Sequence, residues 1–326
     1  MQSSSSNTDN SNPNALASFL KASADSLRLM ILRVLAQDSY GVLELATLFE
    51  VTQSGMSHHL KQLAQVGLVA TRREGNSIFY RRALPSPNNT QLQQALYAHI
   101  DALPLSDSVL NGLTAIRRQR EQASQQFFNE NSDKFRRQQD LIASFDVYAE
   151  QLQEVLQQCL PKQRRRAIEI GPGEGEFLSS LSTYFEEVIG IDNNQSMLER
   201  AANYVDTQKL NNITLHLADA NTSQAQLSDA DLVVANMVLH HLPSPSVIFQ
   251  QAKQALNNGG ALLITDLCLH DQNWVREACG DIWLGFEPEQ LNKWAEDCGF
   301  FAGQSAYCAL RNGFQIQIRH FQTSAN

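Results

Sequence analysis

From residue 14 onward the apolar positions recur at helical spacing. Leu16, Phe19 and Leu20 form one run, and Leu27, Met30, Ile31, Val34 and Leu35 form a second, with Asp25 placed to cap it. Val42 to Phe49 reads as a third helix and Gln53 to about Gln65 as a fourth, ended by Gly67. LVATRREGNSIFYRR then gives two β-type runs around Glu74, Gly75 and Asn76, which is a hairpin signal. LPSPNNT at 84–90 closes this module. Residues 91–160 read as helices interrupted near Pro104 and around 129–132. From Arg166 the pattern changes to short apolar runs alternating with helical stretches: RAIEI, EVIGID, ITLHLA, ADLVVANM, ALLITDL, and late runs at 306–310 and 314–318. That alternation predicts an α/β domain on a largely parallel, doubly wound sheet.

The expected organisation is therefore a disordered Ser/Asn-rich start over 1–13, an α+β module over 14–84, a helical connector with a role in dimerisation over 85–160, and the α/β domain over 161–326. A length of 326 residues and a hydrophobic content of 43% fit two separate cores. No run approaches the ~20 apolar residues of a membrane helix, so no membrane partner is expected. The five cysteines are odd in number and lack a C-x-x-C pair, which suggests neither a disulfide framework nor a zinc ribbon. A reducing cytoplasm is the expected setting.

Charge changes the picture once it is sorted by region. The net is −9 overall, but +2 over 1–90, +1 over 91–166 and −12 over 167–326. An evenly acidic chain would argue against nucleic acid; here the acidic surplus belongs to the last region and the first is mildly basic. Val51, just ahead of the fourth helix, and Met56, Leu60 and Leu63 within it are the inward positions. The 3.6-residue period then turns Gln53, Ser54, Ser57, His58 and Lys61 outward, a short polar face suited to a major groove. The hairpin adds Arg72, Arg73, Arg81 and Arg82 beside Gly75 and Asn76, a basic wing suited to phosphates or a minor groove.

Residues 15–83, through SGMSHHLKQLAQVGLV and REGNSIFYR, resemble the winged helix-turn-helix of the ArsR/SmtB family of bacterial regulators. The resemblance implies a cytoplasmic homodimer whose recognition helices read a palindromic double-stranded operator, usually as a repressor. Members of that family commonly sense metals, but VLELATLFE lacks a cysteine pair and QLQQALYAHIDAL carries His99 without an Asp/His cluster. No metal ligands are expected, and the signal is sought elsewhere.

RAIEIGPGEGEF runs from a strand through a glycine-rich turn into a helix, with Glu169 ahead of Gly171, Gly173 and Gly175. The spacing is G-x-G-x-G and not the G-x-G-x-x-G of dinucleotide folds. Asp192 ends the second strand, 21 residues after Gly171, where a carboxylate can accept both hydroxyls of a ribose. Asp219 and Asn236 end the third and fourth. Residues 141–320 resemble class I S-adenosylmethionine-dependent methyltransferases, and NMVLHHL resembles their quinone-biosynthesis type. The resemblance implies that Gly171, Gly173 and Gly175 line the methionine portion of S-adenosylmethionine or S-adenosylhomocysteine. It further implies that Asp192, Asn193 and Met197 meet ribose and adenine, and that Asp219 with Ala220 meets the adenine edge; Glu169 and Asn236 join the same set.

His240 and His241, just after the fourth strand, are the candidates for a base or acceptor-binding pair, with helix capping as the competing reading. Asp266, Trp283 and Phe286 are candidates for the roof of an acceptor pocket, or for core. The expected fold class is thus a winged helix-turn-helix domain joined by helices to a Rossmann-like class I methyltransferase domain. Two functions stay open. One is a regulator whose methyltransferase-like domain senses the small-molecule ligand, an arrangement similar to regulators of the methionine cycle. The other is a working methyltransferase of a small acceptor that regulates its own gene.

Overall fold

The computed structural model describes residues 13–74, 77–85, 90–131, 134–218 and 228–324. The chain divides into two compact units, Met1–Ile116 and Arg117–Asn326. The division between the units falls inside the stretch 85–160, between residues 116 and 117.

In the first unit α1 (Pro13–Ser23) and α2 (Ser26–Val34) precede a short strand, β1 (Tyr40–Gly41). Then follow α3 (Val42–Leu48), α4 (Gln53–Gln65), β2 (Val69–Glu74), β3 (Ser77–Arg82) and α5 (Thr90–Asp101). Asp25 caps α2 by accepting from the Arg28 amide at 2.9 Å, as the spacing predicts. Thr52 does the same for α4 through the Gly55 amide at 3.2 Å. The apolar stripes of α2, α3 and α4 meet in one core in which Ile31, Leu32, Leu45, Met56, Leu60 and Leu63 are wholly buried. β2 and β3 form the hairpin and β1 pairs with β3, giving a small antiparallel sheet in the order β1-β3-β2. Its tip, Gly75 and Asn76, lies outside the described residues. α5 locks the base of the hairpin: the Tyr97 hydroxyl reaches the carbonyls of Leu68 and Ala83, and Arg82 makes two bonds to Asp101 at 2.7 and 2.9 Å.

α6 (Asp107–Asn131) begins in the first unit and ends in the second. The second unit continues with α7 (Phe135–Ile142) and α8 (Phe145–Gln158), then β4 (Arg166–Ile170), α9 (Glu176–Tyr184), β5 (Glu187–Asp192) and α10 (Gln195–Gln208). After these come β6 (Ile213–Leu217), β7 (Ala230–Asn236), α11 (Ser246–Ala255), β8 (Leu256–Leu267), α12 (Trp274–Ala278), α13 (Pro288–Asp297), β9 (Phe301–Ala309) and β10 (Gln315–Gln322). The seven-stranded sheet has the order β6-β5-β4-β7-β8-β10-β9. β4 to β8 are parallel and β10 runs antiparallel to both neighbours. β4, β5, β7 and β8 read as continuous apolar runs because helices cover both faces. β9 is longer than the expected run at 306–310; it is an exposed edge strand, so burial imposes no alternation on it.

The chain leaves β4 in one direction, through β5 to β6, and returns to the other side with β7 and β8. This reversal opens a crevice at the carboxyl ends of β4 and β7, the usual ligand position in doubly wound sheets. Among the described residues no helix is long and apolar enough to cross a membrane.

Candidate functional site

In the first unit Gln53, Ser54, Ser57, His58 and Lys61 are all exposed, while Met56, Leu60 and Leu63 on the same helix are fully buried. The outer face of α4 is therefore the one the periodicity predicts. The wing arginines divide. Arg73 is exposed and Arg81 half-buried, but Arg72 is only 7% exposed and belongs to the hairpin's packed side. Arg82 is engaged by Asp101 and lies 4.3 Å over the Tyr97 ring. Alternation along β2 explains the difference between neighbours Arg72 and Arg73.

In the second unit register brings the glycine turn and the two polar strand ends together. Ile170 pairs with Ile191 on one side and with Ala235 on the other. The next residue on each strand, Gly171, Asp192 and Asn236, therefore falls on the same edge of the sheet, and all three line one open cleft. Gly171 has φ +64°, and a Cβ there would sit 2.4 Å from the Val238 side chain, so the turn after β4 and the turn after β7 touch. Gly173 and Asn193 line the cleft with them, as does Met197, whose amide caps onto Asn194. Gly175, at φ +89°, starts α9 and packs against Ala201 instead of lining the cleft. Asp219 and Ala220 lie outside the described residues.

The electrostatics of the three carboxyl and amide groups differ. Burial pushes Asp192 up to about 6, against the amides of Asn194 and Asn193, which favour its charged form. Glu169 is buried in β4, does not line the cleft, and is pushed up to about 8 by burial. Asn236 is bonded to the Tyr148 side chain, yet its Oδ1 is buried without a hydrogen-bond partner. A buried acceptor left open at the floor of a cleft fits a ligand that brings a donor. The cradle thus suits a molecule with an amino end near Asn236 and vicinal hydroxyls near Asp192.

The opposite wall comes from helices that sequence reasoning did not assign to the site. Phe128 of α6, Gln139 of α7, and Phe145 and Tyr148 of α8 all line it. Arg136 of α7 reaches Glu174 at 3.1 Å and Glu176 at 2.9 Å, tying that wall to the glycine turn. Asn129 of α6 accepts from Asn194 at 2.8 Å. The free volume is about 1330 Å³ including the open mouth. The only signal available for this wall was the acidic pair inside GPGEGEF, which asks for a cation and does not say which.

His240 and His241 part company. They form one turn of 3-10 helix with Leu239, after Met237, a non-glycine residue at φ +53°. His241 lines the cleft and stacks edge-on against Phe128, with ring centroids 5.0 Å apart. Burial and the adjacent His240 hold it well below the ordinary imidazole range. His240 is wholly buried and does not line the cleft. Burial opposes its charge, but Asp266 at 2.8 Å, with Asp281, outweighs this and raises it to about 9. Asp266 also accepts from the Leu239 and Leu267 amides, so it braces the turn and does not roof a pocket. Trp283 and Phe286 are likewise buried and line no part of the cleft, which makes them core.

Residues 25–71 match the family model of the bacterial regulatory protein, arsR family, and residues 161–303 match that of a methyltransferase domain. A biofilm growth-associated repressor of Agrobacterium fabrum is 40% identical over 83 residues, which are 26% of this chain and 69% of that protein. The transcriptional activator HlyU of Vibrio cholerae is 44% identical over 61 residues, 19% of this chain and 56% of that one. A methyltransferase-type protein of Dictyostelium discoideum is 27% identical over 118 residues; these make up 36% of this chain and 42% of that protein. The chain thus spans less than half of the Dictyostelium protein and little more than half of HlyU. The exposed face of α4 and the glycine-turned cleft each coincide with one of the two matches, and the chain belongs to the arsR family of bacterial regulatory proteins, with a methyltransferase domain in its second unit.

Proposed function

We propose that the chain is a homodimeric regulator of a palindromic operator whose methyltransferase domain binds S-adenosylmethionine or S-adenosylhomocysteine as effector. The observation that carries the reading is the alignment of Gly171, Asp192 and Asn236 on one sheet edge, with the open Oδ1 of Asn236 beside them. Asp192 would accept the ribose hydroxyls, Asn236 the methionine amino group, and the amides of the glycine turn would approach the same end. The surplus of acidic residues over 167–326 favours a cationic sulfonium. Of the two regulators above, one is a repressor and the other an activator, so the sign of the response is set by experiment.

The two ligands differ by one methyl group and one positive charge. A useful sensor binds its DNA-competent and DNA-incompetent states with different affinity, and a coupling of about 1–3 kcal/mol gives a 5- to 150-fold change. Titration of operator DNA with the protein alone and with each ligand tests this. Equal operator affinity in all three conditions would sink the sensor reading.

A second reading is methyl transfer to a small acceptor, favoured by the extension of the cleft beyond the cradle to Phe128, Gln139, Phe145 and His241. S-adenosylmethionine supplies an already activated methyl group. The chain's own part is then to orient the acceptor between the aromatic wall and His241 and to exclude water. A methylated product formed from a metabolite extract, and absent with Asp192→Ala, would support it.

A further inference from the structure

Among the described residues a second polar cluster lies behind the cleft wall. His240, His241 and Asp281 each offer one ligating atom, these atoms lie within 4.8 Å of one another, and all three residues are buried. The loop after α12 is held against the 3-10 turn by backbone bonds: the amides of Ile282 and Trp283 both donate to the His240 carbonyl, at 2.9 and 3.1 Å. The juxtaposition is therefore built into the backbone.

The bonding of each imidazole is what distinguishes this cluster from an ordinary buried network. His240 commits Nδ1 to Asp266 at 2.8 Å, while its Nε2 is buried with no hydrogen-bond partner. A ring nitrogen removed from water and left open is costly. A carboxylate on one imidazole nitrogen, with the other nitrogen turned into a polar cluster, is the arrangement that orients metal-binding histidines. His241 is held on both sides of its ring. Its Nε2 meets the Gln139 amide at 3.1 Å, and its Nδ1 lies 3.8 Å from Asp281 Oδ1 and 3.4 Å from the Gly280 carbonyl. With the Gln139 amide turned over, its oxygen accepts Nε2–H and the Nδ1 lone pair faces Asp281.

We propose that His240 Nε2, His241 Nδ1 and Asp281 form a site for one divalent transition ion of the zinc type, with Asp266 and Gln139 as positioning residues. Two imidazoles and a carboxylate suit zinc and its neighbours; magnesium and calcium prefer all-oxygen sets. The ion's charge offsets the two carboxylates beside the rings. Three protein ligands leave a coordination position open. The sequence spacing gave no hint of the site, since Asp281 is 40 residues beyond His241. The inference is independent of which nucleoside the cleft binds.

The test uses the full chain, stripped with a chelator, loaded with zinc, desalted and assayed for metal by mass spectrometry. Cobalt(II) loading of the same protein gives an optical spectrum. About one zinc per chain is expected to be retained in the presence of excess magnesium. Cobalt should show d–d bands of a nitrogen/oxygen set without thiolate charge transfer. His241→Gln and Asp281→Asn should each weaken zinc binding by tenfold or more, while His99→Gln, at an exposed histidine, should not. No retained zinc in the wild type, unchanged binding in both folded variants, or cobalt–thiolate bands would overturn the proposal. If both variants fail to fold, the wild-type stoichiometry and cobalt spectrum decide alone.

Discussion

The Arg28 guanidinium on α2 donates to the side-chain oxygen of Gln62 on α4 at 2.6 Å, and the Gln62 amide in turn bonds His58 at 2.9 Å. Arg28 also donates to the carbonyls of Ala22 and Lys21, so one buried charge holds the end of α1, the start of α2 and the inner edge of the recognition helix. Arg28→Met should destabilise the first unit by about 2–4 kcal/mol, because it leaves two carbonyls and an amide oxygen without their donor. Hydrogen exchange of α2 and α4 amides reads this directly. Arg28→Lys should rescue little, since one ammonium cannot match the planar fork.

On operator DNA, Lys61→Ala and Arg73→Ala should each reduce the salt dependence of binding by about one unit of slope, with similar losses on cognate and scrambled sequence. Gln53→Ala should instead cost about 1–3 kcal/mol on the cognate site alone. Arg72→Ala should leave the salt slope unchanged and appear as lowered stability, because Arg72 is buried. Fluorescence anisotropy at three salt concentrations separates these cases.

Gly171 and Gly173 make a controlled pair. Both have positive φ, but a Cβ at Gly171 meets Val238 at 2.4 Å and one at Gly173 meets nothing within 4 Å. Gly173→Ala should cost only the backbone strain, about 1 kcal/mol. Gly171→Ala should cost more and displace the turn after β7, so nucleoside binding measured by calorimetry should fall further than with Gly173→Ala. Equal effects would contradict the close approach of the two turns.

His320 lies buried in β10 against Gly303, with neither ring nitrogen hydrogen-bonded, and burial lowers it to about 4. The unfolded chain takes up a proton near 6.5 and the folded chain only near 4. The unfolded state therefore binds more protons between these values, and this contribution to stability is full above about 6.5 and is lost as pH falls towards 4. Denaturant unfolding at pH 7 and pH 5 should differ by about 2 kcal/mol more in the wild type than in His320→Leu.

The sequence made legible whatever local periodicity or a short motif determines. The helices of the first unit, the hairpin, the parallel strands and the alignment of Gly171, Asp192 and Asn236 all follow from patterns a few residues long. Arg72 and Arg73 look alike in the sequence, and only the strand's inward side separates the buried one from the exposed one. Gln139, Tyr148 and Phe128 could not be found, since nothing on α6 to α8 records which strand ends they will face. The same holds for Asp266: its position after an apolar run suggested a pocket roof, whereas only tertiary packing shows it accepting from three groups around the 3-10 turn.

Met237 sits at φ +53° between the end of β7 and the turn that carries both histidines, its amide donating to the Thr265 carbonyl at 2.8 Å. A conformation of this kind in a residue other than glycine costs on the order of 1–3 kcal/mol and persists only where its surroundings enforce it. An asparagine there would relax the backbone, and a search for thermostable variants would favour such a change. The gain would come from the joint that aims Val238 at the glycine turn and His241 at the cleft, so at this position robustness and precision pull in opposite directions.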